Sequence, residues 1–133
     1  MTLHRITTVL VVDRIEEQLA FWVEGVGMEL EVTVPHEQSI GFAILKQGTT
    51  ELMLQSRASV AADIPSLARD KYTTALFIEV NDLDQLIPRL GSFEQIYERR
   101  TTFYGADEIG FRDPSGNAIT FAQFSKTAET TLA

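Results

Sequence analysis

The chain has 133 residues, 44% of them hydrophobic and 23% charged, which is ordinary globular usage, too apolar for a disordered chain and long enough for one compact domain with a sizeable core. Eleven Lys and Arg against 19 Asp and Glu leave a formal charge of −8, a field that repels phosphate backbones and gathers cations, so nucleic acid is a poor partner. The absence of Cys removes disulfides, thiolate metal sites and thiol nucleophiles, and the apolar run at residues 9–12 stops at Asp13 and Arg14, too short for a membrane span or a secretory segment. A soluble cytoplasmic protein is expected.

Residues 7–12 are short and β-branched, as a strand requires, and Asp13 with Glu16 has the spacing of a capping box at a helix start. Ile15, Leu19, Trp22, Val23 and Val26 then fall on one helical stripe, and Gly25 or Gly27 can end the helix. Phe21 lies off that stripe, which leaves it either a local contact to a loop or a contact to a second subunit. Strands follow over 29–34, 39–46 and 51–55, separated by Pro35-His36 and by a tight turn at Gln47-Gly48. The first module, about residues 5–56, therefore reads βαβββ. Residues 57–71 lack β patterning and form a connector with room for a short helix beginning near Pro65.

The second module, about 72–124, repeats the order. Val12-Asp13-Arg14-Ile15 lines up with Val80-Asn81-Asp82-Leu83, each running from a strand into an amphipathic helix, which indicates an internal duplication. The second strand–helix unit is a strand over 74–80, a cap at Asn81 or Asp82, and apolar Leu83, Leu86, Ile87 and Leu90. Pro88 inside that pattern removes an N–H and costs about 3 kcal/mol in a regular helix, so this helix should be short or kinked. Strands are expected over 95–100, 107–112 and 118–124, the last two joined by an Asp113-Pro114-Ser115-Gly116-Asn117 turn. The tail from Ser125 to Ala133 has little to bury and is expected to fray.

Two such halves, with Leu19-Ala20-Phe21-Trp22 on the first helix, Glu51-Leu52-Met53-Leu54-Gln55 on a strand, and Tyr104-Gly105 ahead of Phe111-Arg112-Asp113-Pro114-Ser115-Gly116-Asn117, resemble the vicinal oxygen chelate superfamily. It contains glyoxalase I, extradiol dioxygenases, fosfomycin-resistance enzymes and bleomycin-resistance binding proteins. The resemblance implies an α+β fold of two βαβββ modules in tandem forming a curved mixed-sheet cup with helices outside, and a homodimer. Metal-dependent members carry His, Glu or Gln ligands on the first and last strand of each half, and the matching positions here are Thr7, Glu51, Ala75 and Thr120. Only Glu51 could serve, and one carboxylate cannot supply the three or more protein ligands of a catalytic divalent site. No metal and no cofactor are expected. His4 lies before the first strand and His36 in an expected turn; each reads as solvent-facing or locally bonded, or else as a displaced ligand or base.

Strand alternation turns Thr7, Val9, Glu51, Met53, Ala75, Phe77 and Thr120 to the cup, and Leu10, Leu52, Leu54, Leu76, Ile78, Ile119 and Phe121 to the helices. Apolar walls with sparse polar groups suit a small-molecule ligand. Without a neighbouring cation Glu51 would be poorly solvated when charged, the condition for an acid or base; with hydrogen-bonding neighbours it is an ordinary structural carboxylate. Tyr104 with Gly105 sits on a loop where a phenol can close over a ligand or cap the core, and Arg99-Arg100 reads as a solvated strand end. Three functions follow: a metal-free binding protein of the bleomycin-resistance type sequestering an amphipathic or cationic ligand; a glyoxalase- or dioxygenase-like lyase or isomerase using displaced ligands or Glu51; and a partner-binding module whose surface clue is Phe21.

Overall fold

The computed structural model describes residues 1–69 and 71–125, in two compact units, one of residues 1–72 and one from residue 73 onward. The first unit holds β1 (Val9–Val12), α1 (Ile15–Leu19) running into a π-helical turn (Ala20–Gly25), β2 (Glu29–His36), β3 (Ser39–Gln47) and β4 (Thr50–Ser56), followed by α2 (Arg57–Asp63) and α3 (Pro65–Ala68). The second holds β5 (Ala75–Glu79), α4 (Leu83–Leu86) with a 3-10 turn (Ile87–Leu90), β6 (Gln95–Thr101), β7 (Ala106–Arg112) and β8 (Ala118–Phe124). Each unit forms one four-stranded mixed sheet, in the orders β1-β4-β3-β2 and β5-β8-β7-β6, with the first and last strands of the module parallel and the others antiparallel. The α+β class and the tandem βαβββ order are thus observed.

In the first unit Leu10, Val12, Ala43, Leu45 and Leu54 are buried with Ile15 and Trp22 of the helix. Alternation along β4 is complete: Leu52, Leu54 and Ser56 are buried, while Glu51, Met53 and Gln55 are half-buried on the other face. In the second unit Ile109, Phe111, Ile119 and Phe121 are buried, as are Leu83 and Leu90 of the helical segment, and the rings of Phe111 and Phe121 meet edge to face at 6.4 Å. Burying a large aliphatic or aromatic side chain contributes about 1.5–3 kcal/mol, so these facing rows dominate the stability of each unit.

Several local expectations are corrected. Asp13 does not cap α1: the N-cap is Arg14, which makes no side-chain cap bond. Asp13 accepts from Arg57 Nε at 2.6 Å and lies 3.6 Å from Lys71 Nζ. Glu16 reaches across to accept the Ile40 amide at 2.8 Å. The first helix changes winding at Ala20, closing with a Val26 N–H to Phe21 carbonyl bond, a five-residue step. That step shifts the phase of the stripe: Phe21 is fully buried, packed edge to face on Trp22 at 4.9 Å, while Leu19 and Val23 are half-buried. Phe21 therefore packs inward on Trp22 of its own helical segment and offers no surface for a partner.

β2 continues through Pro35 and His36, so the turn falls at Glu37-Gln38, with Glu37 at φ 57°. Pro is tolerated there because β2 is an edge strand and the register shifts between Val34 and Pro35. The connector contains the helix begun at Pro65 and also α2, which the sequence reading missed; Ser56 caps α2 by accepting the Ser59 amide, and Val60 anchors it in the core. The second helix is short before Pro88, capped by Asp82. The Asp113–Asn117 turn forms as expected, with Asp113 accepting the Ser115 and Asn117 amides at 2.9 Å each and Gly116 at φ 87°. The expectation of a frayed tail falls, beyond Ser125, outside the described residues.

Candidate functional site

In the first unit the register sets Val9, Met53, Ile44 and Val32 side by side on the face turned away from the buried row of Leu10 and Leu54. Val9 and Val32 remain 46% and 38% exposed, so this face carries an apolar band open to solvent. Thr7 precedes the ladder and is half-buried. Glu51 closes the band, but its premise as an isolated carboxylate is not met: Lys46 Nζ lies 3.6 Å and Arg5 Nη1 3.7 Å from its Oε2. Lys46 also reaches Glu31 at 3.3 Å, making a charged border. His4 is exposed before β1. His36 ends β2 and lines a hollow of about 580 Å³ with Asp13, Glu16, Glu37 and Ser39. There the Ile40 amide holds the Glu16 carboxyl below its ordinary value.

The second unit concentrates more chemistry on its corresponding face. Phe77 stands beside Thr120, and Thr120 beside Gly110, which in turn pairs with Tyr97. The Tyr97 hydroxyl and Thr120 Oγ1 are 2.7 Å apart, and Arg100 lies over the Tyr97 ring with its guanidinium carbon 3.8 Å from the centroid. Glu108, on β7, is 1% exposed; one carboxylate oxygen lies 3.3 Å from Arg100 Nη2 and the other accepts the Tyr104 hydroxyl. That bond, together with burial, raises the Tyr104 phenol above its ordinary value and keeps it a proton donor. The Tyr104 ring is 6.0 Å from Phe124, which is 6.3 Å from Phe77, so three aromatic rings run along the face beside the carboxylate. Phe77 is 55% exposed.

Among the eight expected ligand-binding residues, the fold thus joins Val9 with Met53, and Phe77 with Thr120, and sets Tyr104 in the same aromatic run as Phe77. Ala75 is exposed and pairs with Ala118. Glu108 and Tyr97 were missed, and Arg99-Arg100, expected as a solvated strand end, instead pairs with Asp84 and Asp107 through Arg99 and with Tyr97 and Glu108 through Arg100. Glu108 was accessible to pairing logic: counting back from Thr120 and Ala122 through the Asp113–Asn117 turn places Gly110 and Glu108 opposite them. Tyr97 and Arg100 were not, because three residues apart they belong on opposite faces of a regular strand. The register shift between them, three residues of β6 against two of β7, brings both to one face.

The divalent metal of metal-dependent members finds no fitting donor set among the described residues. Thr7, Ala75, Ala118 and Thr120 offer hydroxyls or methyls, Glu51 is already flanked by two cations, and among the described residues no group of three His, Cys, Asp or Glu converges to hold an ion.

Solved structures share this architecture at low identity. TnmS3, an antibiotic binding protein from Streptomyces sp. CB03234, is 22% identical with a TM-score of 0.72, over 94% of this chain and 99% of that one. Lactoylglutathione lyase from Agrobacterium tumefaciens is 18% identical, TM-score 0.71, covering 92% and 95%. TioX from Micromonospora sp. ML1 is 15% identical, TM-score 0.71, covering 92% and 99%. No curated protein matches the chain. These likenesses establish the fold, and with the family profile matching residues 2–121, the chain belongs to the Glyoxalase/Bleomycin resistance protein/Dioxygenase superfamily.

Proposed function

We propose that this protein is a metal-free binding protein of the bleomycin-resistance type, holding an amphipathic or cationic small molecule without a cofactor. The observation that carries the reading is the open face of the second sheet, where Phe77, Phe124 and Tyr104 form an aromatic run beside the buried carboxylate of Glu108. Aromatic surface supplies burial and π faces, and a carboxylate supplies orientation for a cation. The charge of −8 raises the local concentration of such ligands. The structural relative TnmS3 is an antibiotic binding protein, so the fold accommodates this use. The rival reading, a lyase or isomerase using displaced metal ligands or Glu51, loses the support of Glu51, since Lys46 and Arg5 stand 3.6 and 3.7 Å from that carboxylate.

The test is a thermal-shift titration with bleomycin, with a Zn and Ni series beside it. A ligand that binds only the folded state at about 100 times its dissociation constant adds about 2.7 kcal/mol. Stabilisation by bleomycin without metal, lost in Phe77→Ala, is expected. Saturable stabilisation by metal alone would overturn the reading and return the protein to the enzymes.

A further inference from the structure

The ion pair between Arg100 and Glu108 is lopsided. The Glu108 side chain is 2% exposed and that of Arg100 is 55% exposed, so an enclosed anion is neutralised by a cation standing half in water. The rest of the arrangement is held without Arg100. The Tyr97 ring lies across Gly110, where a Cβ would come within 2.6 Å of it, and its hydroxyl is tied to Thr120. The second oxygen of Glu108 takes the hydroxyl of Tyr104. What remains is a π face and a charged oxygen meeting at one place, the two groups that together recognise a guanidinium or an ammonium. Arg100 reaches that place from an edge strand, at a register shift, on a long side chain open to solvent.

We propose that Tyr97, Glu108 and Tyr104 form a cation subsite, that Arg100 is its built-in occupant, and that a ligand guanidinium or primary ammonium binds by displacing it. The exchange swaps one cation for another, so the buried carboxylate is never left unpaired, which would be the costly state. Arg100 moves into water, where its charge is solvated. Glu108 excludes anions from the same place. This inference rests on the reading of the face as the ligand platform and adds the chemical group the ligand must carry. A tethered competitor acts at an effective concentration of about millimolar, so its removal raises the apparent affinity for a free cation.

The experiment measures methylguanidine binding by calorimetry, with methylurea as the neutral analogue, to the unmodified protein, Arg100→Ala, Arg100→Gln and Arg100→Ala/Glu108→Gln. The expected result is binding measurably tighter, by about twofold or more, in Arg100→Ala than in the unmodified protein, the same direction in Arg100→Gln, no binding of methylurea, and loss of the gain when Glu108 becomes Gln. If Arg100→Ala folds poorly, recovery of its melting temperature by methylguanidine and not by methylurea carries the same conclusion. Equal affinity in the Arg100 variants and the unmodified protein, or equal effects of the urea, overturns the subsite. A bleomycin titration run in parallel separates the two readings: a bleomycin shift without the methylguanidine gain removes the subsite and keeps the platform. The gain without a bleomycin shift keeps the subsite and removes bleomycin as a fitting ligand.

Discussion

Gly110 is a glycine for space: a Cβ built there would meet the Tyr97 ring at 2.6 Å from Cε1, 2.9 Å from Cζ and 3.1 Å from Cδ1. In Gly110→Ala the ring must lift off the sheet, and lifting it breaks the Tyr97–Thr120 hydrogen bond and the stacking of Arg100 at 3.8 Å. The bond is worth about 1 kcal/mol and the half-exposed cation–π contact about 0.5–1 kcal/mol. Replacing glycine in a strand returns roughly 0.5–1 kcal/mol of backbone entropy. The net expectation is a destabilisation of about 1 kcal/mol, read by urea unfolding followed through circular dichroism. The decisive control is the Tyr97→Ala background, where the three nearest atoms the methyl would meet are gone and Gly110→Ala should stabilise by a few tenths of a kcal/mol or more. An equal loss in both backgrounds would refute the argument that the tyrosine ring explains the glycine.

Two further outcomes follow from the structure. The Arg57 guanidinium, bonded to Asp13, holds that carboxyl below its ordinary value despite some burial, with Lys71 adding to the effect. A carboxyl lowered in the folded state contributes stability that is present above its unfolded value, about 3.9, and lost as pH falls through the lower folded one. Asp13→Asn should therefore flatten the acid limb of the stability–pH curve, and an unchanged limb would sink the assignment. Asp113→Ala removes the acceptor of two buried turn amides and of the Asn117 side chain; leaving such donors unsatisfied costs about 1–3 kcal/mol each. A loss of roughly 2 kcal/mol or more in chemical denaturation is expected, and a loss below 0.5 would show that water replaces the carboxylate.

Much of the fold could be read from residue order because its signals are local. The strand at 118–124 and the turn that precedes it follow from alternation and from an Asp-Pro-Ser-Gly-Asn run whose conformational preferences hold in any context. Pro88 shortening the second helix is of the same kind. The misreadings involve competition between distant groups. The N-cap falls on Arg14, while Asp13 pairs with Arg57, 44 residues away. Phe21 turns inward because the helix takes a π-helical turn that no periodicity announces. α2 went unseen because a single apolar anchor, Val60, gives no amphipathic stripe.

The candidate site divides along the same line. Residue order by itself determined the tandem modules and the face on which Val9, Glu51, Met53, Phe77 and Thr120 lie, since each depends on residue identity at a period of two. Tertiary structure decided which polar groups meet. Only the register of β6 on β7 brings Arg100 to Glu108 and Tyr97 over Gly110, and only the approach of Lys46 and Arg5 decides that Glu51 is a paired carboxylate. The physical reason is that a hydrophobic pattern selects a face through many small additive contributions, whereas a buried charge is governed by one or two neighbours whose positions depend on every strand between them.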